Sequence, residues 1–194
     1  SSDVYKRQTI IIPSGEFVLE GSLIITDDLE INGAGATETI IDLSRQGNIQ
    51  ISNSAVVSID GITIENGQAS EGGAISLVAG EVESPSSLEL TSSILRSNGA
   101  GGGGAIHQDA NTRLYITDSW IHGNEAHYKY GGGQNNGGGI LTAGIFVITN
   151  TTISNNKTCL SANGGWYGNG GGIHIEHGNH TCLLYTSDAA DEGL

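Results

Sequence analysis

One short spelling, Gly-Gly-(Ala/Gly)-Ile, closes four stretches of the chain, and its isoleucines fall at positions 75, 106, 140 and 173. The intervals are 31, 34 and 33 residues. The stretches are VSIDGITIENGQASEGGAI (57–75), LELTSSILRSNGAGGGGAI (88–106), LYITDSWIHGNEAHYKYGGGQNNGGGI (114–140) and FVITNTTISNNKTCLSANGGWYGNGGGI (146–173). Each opens on alternating apolar residues: Val57 and Ile59, Leu88 and Leu90, Leu114 and Ile116, Phe146 and Ile148. A second apolar place follows at Ile64, Leu95, Ile121 and Ile153. Asn98, Asn124 and Asn156 then stand in register, while Asn66 comes one place early. Self-similarity at such a period marks a stacked-repeat architecture.

The local pattern decides which architecture. Alternation of two, β-branched residues and Gly/Asn punctuation spell short strands and turns. Glycine pairs would cost a helix about 1 kcal/mol per residue. A parallel β-solenoid satisfies both period and pattern, with coils stacked about 4.8 Å apart. Equivalent side chains then form columns, and the aliphatic columns bury a core that no single coil could bury alone. Asn suits the turns, and stacked Asn amides can bond one another along the column. Glycine pairs permit positive φ and close approach of backbones. Residues 9–44, TIIIPSGEFVLEGSLIITDDLEINGAGATETIIDLS, spell five more short strands between Pro-Ser-Gly, Glu-Gly, Asp-Asp and Gly-Ala-Gly-Ala turns. AGEVESPSS (79–87) and the long stretches before Ile140 and Ile173 read as insertions.

The two ends follow a different logic. The codons GAT GTG TAT AAG AGA CAG spell Asp3 to Gln8, and their reverse complement, read one base along, spells Cys182 to Ser187. That DNA resembles the transposon end used in preparing sequencing libraries. The expected organisation is therefore an adapter-derived scar at 1–8, a single β-helix domain fragment at 9–181, and a second scar at 182–194. Without the scars, 17 acids stand against 5 bases. Such acidity argues against nucleic acid, which needs Lys and Arg to replace phosphate counterions, and against an anionic membrane surface. No apolar run approaches the length of a membrane span. Cys159 is the one cysteine outside the scars, so no disulfide is expected within residues 9–181.

The run IIPSGEFVLEG…LEINGAGATETIID, followed by GGAI/GGGI and ITNTTISNN-like segments, resembles bacterial right-handed parallel β-helix proteins of the pectate-lyase-like superfold. The nearest kinds are proteins carrying a CSLREA segment and the polymorphic outer-membrane repeat proteins. The resemblance covers nearly all of 9–181, and the CSLREA segment itself does not occur. It implies a secreted or bacterial cell-surface protein with an adhesive or passenger role, whose partners are glycans or host and cell-surface proteins.

Two sets of residues are candidates for chemistry. Tyr128, Tyr130, Trp166 and Tyr167 sit in two insertions that precede GGGI in adjacent coils. Their flat faces and polar tips suit sugars or protein partners; packing on their own loops is the competing reading. The alignment also puts Glu65, Arg96, His122 and Ser154 in one outward column. A polysaccharide lyase or glycoside hydrolase could use a carboxylate, a base and a cation; a solvated ion-pair column worth at most about 1 kcal/mol per pair is the favoured reading. Asp27-Asp28 resembles the paired acids of pectin hydrolases by adjacency alone, and adjacent strand residues face opposite ways. His174 and Glu176 share a face near His177 and His180, which reads as a solvated edge, since a metal needs three or four converging ligands. The calcium nonapeptide GGxGxDxUx is absent. No cofactor, no metal and no assigned catalytic residue are expected.

Overall fold

A computed structural model describes residues 7–130, 135–159 and 168–176, together with the backbone of 182–185; the side chain of Tyr128 lies outside that description. The architecture is an all-β parallel β-solenoid. Its strands form four parallel sheets of seven, six, six and four strands. Every strand-to-strand pairing in these sheets is parallel and joins successive coils. Among the described residues the one helical element is a 3-10 turn at Tyr128–Tyr130, and no helix is long and apolar enough to cross a membrane.

The first sheet contains Leu29–Asn32, Val56–Asp60, Ser87–Thr91, Arg113–Thr117 and Ile145–Thr149. Its inward residues form two files, Val57–Leu88–Leu114–Phe146 and Ile59–Leu90–Ile116–Ile148, all at most 3% exposed. The second sheet, through Thr63–Glu65, Ile94–Arg96, Trp120–His122 and Thr152–Ser154, adds the file Ile64–Leu95–Ile121–Ile153. In the third sheet the closing isoleucines pair in single file, Ile49–Ile75–Ile106–Ile140–Ile173. Burying one such side chain is worth about 1.5–3 kcal/mol, so the files are the main source of stability.

The file beside it changes character. Ile51 and Leu77 are followed by Gln108 and Thr142, both fully buried. Thr142 Oγ1 donates to Gln108 Oε1 at 2.6 Å, and Gln108 Nε2 donates to the carbonyls of Ile145 at 2.9 Å and Thr112 at 3.2 Å. The polar pair is satisfied and so does not carry the cost of an unpaired buried group.

The spelling of the GGxI close has a steric cause. Gly72, Gly103, Gly137 and Gly170 all lie at φ between +60° and +65°, a region costly for residues with a Cβ. A Cβ on the following Gly73, Gly104 or Gly138 would lie 2.1–2.4 Å from the carbonyl oxygen of Gly104, Gly138 or Gly171 on the next coil.

One element departs from the sequence reading. A fourth sheet runs through Gln68–Glu71, Gly99–Gly102, Glu125–His127 and Lys157–Cys159, where a turn is expected. Its residues are small or polar, and coil-to-coil hydrogen bonds hold it without an alternating apolar face. The backbone of Cys182–Tyr185 pairs with Phe146–Thr149. A short extended segment can add to an open strand edge. At the other end Ile10 and Leu23 are partly exposed at an apolar cavity of about 290 Å3 lined also by Ile12, Phe17 and Leu19, while Ile11, Val18 and Ile24 are exposed and do not line it.

Candidate functional site

The corner between the second and fourth sheets is built by two columns. Asn66, Ser97, Gly123 and Asn155 all have φ between +54° and +65°, which turns the chain. The next residues, Gly67, Asn98, Asn124 and Asn156, form an amide ladder. Gly67 N donates to Asn98 Oδ1 at 2.8 Å, Asn98 N to Asn124 Oδ1 at 3.0 Å, and Asn124 N to Asn156 Oδ1 at 3.0 Å. The side-chain amides continue it, Asn98 Nδ2 to Asn124 Oδ1 and Asn124 Nδ2 to Asn156 Oδ1. Asn66 is one place early because it occupies the turn column, and Gly67 begins the ladder through its backbone alone.

Outside this corner lies the column Glu65–Arg96–His122–Ser154, in register as expected. Arg96 Nε donates to Glu65 Oε2 at 2.5 Å. His122 stacks on Trp120, ring centroids 3.9 Å apart, and Trp120 Nε1 donates to Ser154 Oγ at 3.0 Å. Burial, and then the Arg96 guanidinium, hold the His122 pKa below the usual histidine value. Arg96 is thus engaged by Glu65, and His122 is covered on one face by an indole.

Around the corner, a polar groove of about 280 Å3 opens beside the ladder. Its wall combines Arg45, Gln68, Ser97, Glu125, Lys129, Tyr130 and Lys157. Tyr130 reaches it from the insertion after His127. Its ring lies against Gly99, where a Cβ would come within 2.7 Å of the ring. Lys129 Nζ is 4.6 Å from the Tyr130 centroid, and His127 meets the ring edge-on at 6.1 Å. Glu125 lies between two ammonium groups, Lys129 at 3.4 Å and Lys157 at 3.6 Å, and accepts from the Cys159 thiol at 2.8 Å. Burial raises the Glu125 pKa, but the Cys159 hydrogen bond and the two lysines outweigh it, so the net shift is downward. Burial, and then the Glu125 carboxylate, push the Cys159 thiol up.

Glu125, His127 and Cys159 bring one donor atom each within 4.8 Å of one another, as do Glu16, Asp42 and Glu65. In the first set the protein already uses the donors: the thiol bonds to Glu125, and His127 Nδ1 accepts from Lys129 N at 3.0 Å. In the second, Arg96 neutralises Glu65.

Of the expected aromatic residues, Tyr130 lines the groove and Tyr128 shares its 3-10 turn. Trp166 and Tyr167 lie outside the described residues, as do His177 and His180. His174 pairs with Leu141 in the third sheet, and Glu176 N bonds to Thr142 O at 2.9 Å. Asp27 and Asp28 sit at a turn, where Asp28 Oδ1 accepts from Val56 N. The sequence reading missed Arg45, Glu125, Lys129 and Lys157. A signal for two of them was present: Gln68, Gly99, Glu125 and Lys157 each stand one place after the ladder position, and they pair in register.

Compared with protein-family models, curated proteins and solved structures, the chain matches none.

Proposed function

We propose that this protein is a secreted or bacterial cell-surface β-helix scaffold, adhesin- or passenger-like, that presents loops for binding glycans or cell-surface proteins. The observation that supports it is Tyr130, carried by an insertion and set against Gly99 at the mouth of a polar groove spanning successive coils. Such a groove needs only a rigid frame and a loop, and both are present. The resemblance to CSLREA-type and outer-membrane repeat proteins supports the placement at the cell surface; the net charge of −14 leaves nucleic acid a poor partner.

A polysaccharide lyase or hydrolase is the second reading, favoured by Glu65, Arg96 and His122 standing in one file. The 2.5 Å ion pair weighs against it, because it occupies both the acid and the cation. The test is a screen of the full chain on glycan arrays and on whole cells, with Tyr130→Ala beside it. Binding that the variant loses is the expected result. A wild-type chain that binds neither glycans nor cells, yet depolymerises a polysaccharide, would replace display with catalysis.

A further inference from the structure

Resting on the reading of the groove as a ligand site, we propose that it takes a linear glycan bearing carboxylate or sulfate groups, laid parallel to the solenoid axis. The chain has only 7 Lys and Arg against 21 acids, yet three of those cations, Arg45, Lys129 and Lys157, line this one groove. Glu125 is the sole acid among its lining residues and lies between two of them. Arg45 is exposed and forms no ion pair among the described residues. The groove is therefore a local excess of positive charge on an acidic protein, which favours an anionic ligand there.

The direction follows from the coils. Arg45 N bonds to Asn66 O, one coil on. Gln68 stands in that coil, and Gly99, Glu125 and Lys157 follow in register on three further coils. Four steps of about 4.8 Å separate the backbones of Arg45 and Lys157 by about 19 Å. Cations stand at both ends of that track, and the Tyr130 ring stands between them over Gly99. Aromatic faces suit sugar rings, and the terminal cations suit their acid groups. An acidic peptide laid along this track could not gain affinity by adding a strand, because a chain parallel to the axis crosses the strands of the sheet rather than running beside one. A neutral sugar would leave the cations unused.

The test measures binding of the full chain to three oligosaccharides of equal length: hyaluronan-derived, heparin-derived and chitin-derived, with an oligoglutamate peptide beside them. The acidic sugars are expected to bind at least about ten-fold tighter than the neutral one, and to weaken as salt rises. Arg45→Ala and Lys157→Ala each should weaken them about five-fold, with Arg113→Ala, an exposed cation elsewhere, without effect. Heparin carries sulfates besides carboxylates, so binding of hyaluronan shows that carboxylate suffices, and binding of heparin alone shows that sulfate is required. Equal binding of the neutral sugar overturns the anionic ligand while leaving glycan display intact. Preference for oligoglutamate overturns it in favour of a protein partner. Failure on all four probes, together with a blank cell and glycan screen, removes the display reading as well.

Discussion

Truncating Asn124 to alanine separates a ladder that supports the solenoid from one that merely decorates it. The side chain is fully buried. Its Oδ1 accepts from Asn98 N and Asn98 Nδ2, both at 3.0 Å, and its Nδ2 donates to Leu95 O at 3.0 Å, to Asn156 Oδ1 at 2.9 Å and to the part-buried His122 O at 3.1 Å. Asn98 Nδ2 keeps Ile64 O, and Asn156 Oδ1 keeps Asn124 N. Two buried backbone groups, Asn98 N–H and Leu95 C=O, each lose a partner. At about 1–3 kcal/mol for each such group, the loss is about 4 kcal/mol. With a urea slope of about 2 kcal/mol/M, the unfolding midpoint falls by about 2 M. Asn66→Ala is the control, since the same residue type there sits outside the ladder at φ +57°; the left-handed geometry sets its cost at about 1–2 kcal/mol. Urea titrations followed by far-UV circular dichroism measure both. If Asn124→Ala costs less than about 1 kcal/mol, or Asn66→Ala costs as much as it does, the ladder is not a support.

Three further outcomes rest on the same packing and hydrogen bonds. Gly104→Ala should lower the unfolding midpoint more than Ala105→Gly, because a Cβ at 104 lies 2.1 Å from Gly138 O while that of Ala105 already fits the core; a thermal melt showing the reverse order would contradict the close approach of coils. His122 has a folded pKa below its unfolded value of about 6.5. The unfolded state therefore binds the proton first, so stability falls as pH drops from about 6.5 to the lowered folded pKa and then levels. His122→Gln should flatten that slope between about pH 7 and 5 in urea titrations; an unchanged slope would remove the burial and Arg96 effects on His122. In a Cys182→Ser background, Glu125→Gln should speed alkylation of Cys159 by iodoacetamide at neutral pH, since the carboxylate helps hold the thiol protonated; equal rates would show that burial alone does so.

The core was legible because its signal is a period-two alternation repeated in four aligned stretches, and Ile75, Ile106, Ile140 and Ile173 do pair in file. The outward file Glu65–Arg96–His122 was legible for the same reason. The fourth sheet was not. QASE, GAGG, EAH and KTC share no side-chain pattern, and their strand geometry comes from neighbours above and below. A second ladder also escaped notice. At the corner between the first and second sheets, Ile62 N bonds to Ser93 Oγ, Ser93 N to Ser119 Oγ, and Ser119 N to Thr151 Oγ1. Its members mix Ile, Ser and Thr, so no single spelling marks it. The groove combines Arg45, Lys129 and Lys157 from different coils and an insertion, which residue-by-residue comparison of repeats does not bring together.

The two ladders explain where this fold can carry function. A hydroxyl ladder fixes the corner between the first and second sheets, and an amide ladder fixes the corner between the second and fourth. Between those corners the spacing is constant: Ile59 to Ile64, Leu90 to Leu95, Ile116 to Ile121 and Ile148 to Ile153 are all five residues apart. An added residue there would slip one coil's hydroxyl or amide past its partner and flip the strand that follows. Neither ladder reaches the connection from the fourth sheet to the glycine column, nor the one from the third sheet back to the first. The long insertion at 128–136 sits at the former, and the loop at 79–86 at the latter. Tyr130 therefore enters at a connection where chain length is free to vary, and leans back onto Gly99, beside a corner whose geometry is fixed. Variable loop chemistry against an invariant coil register is the arrangement a display scaffold requires, and it comes from which backbone groups the ladders satisfy.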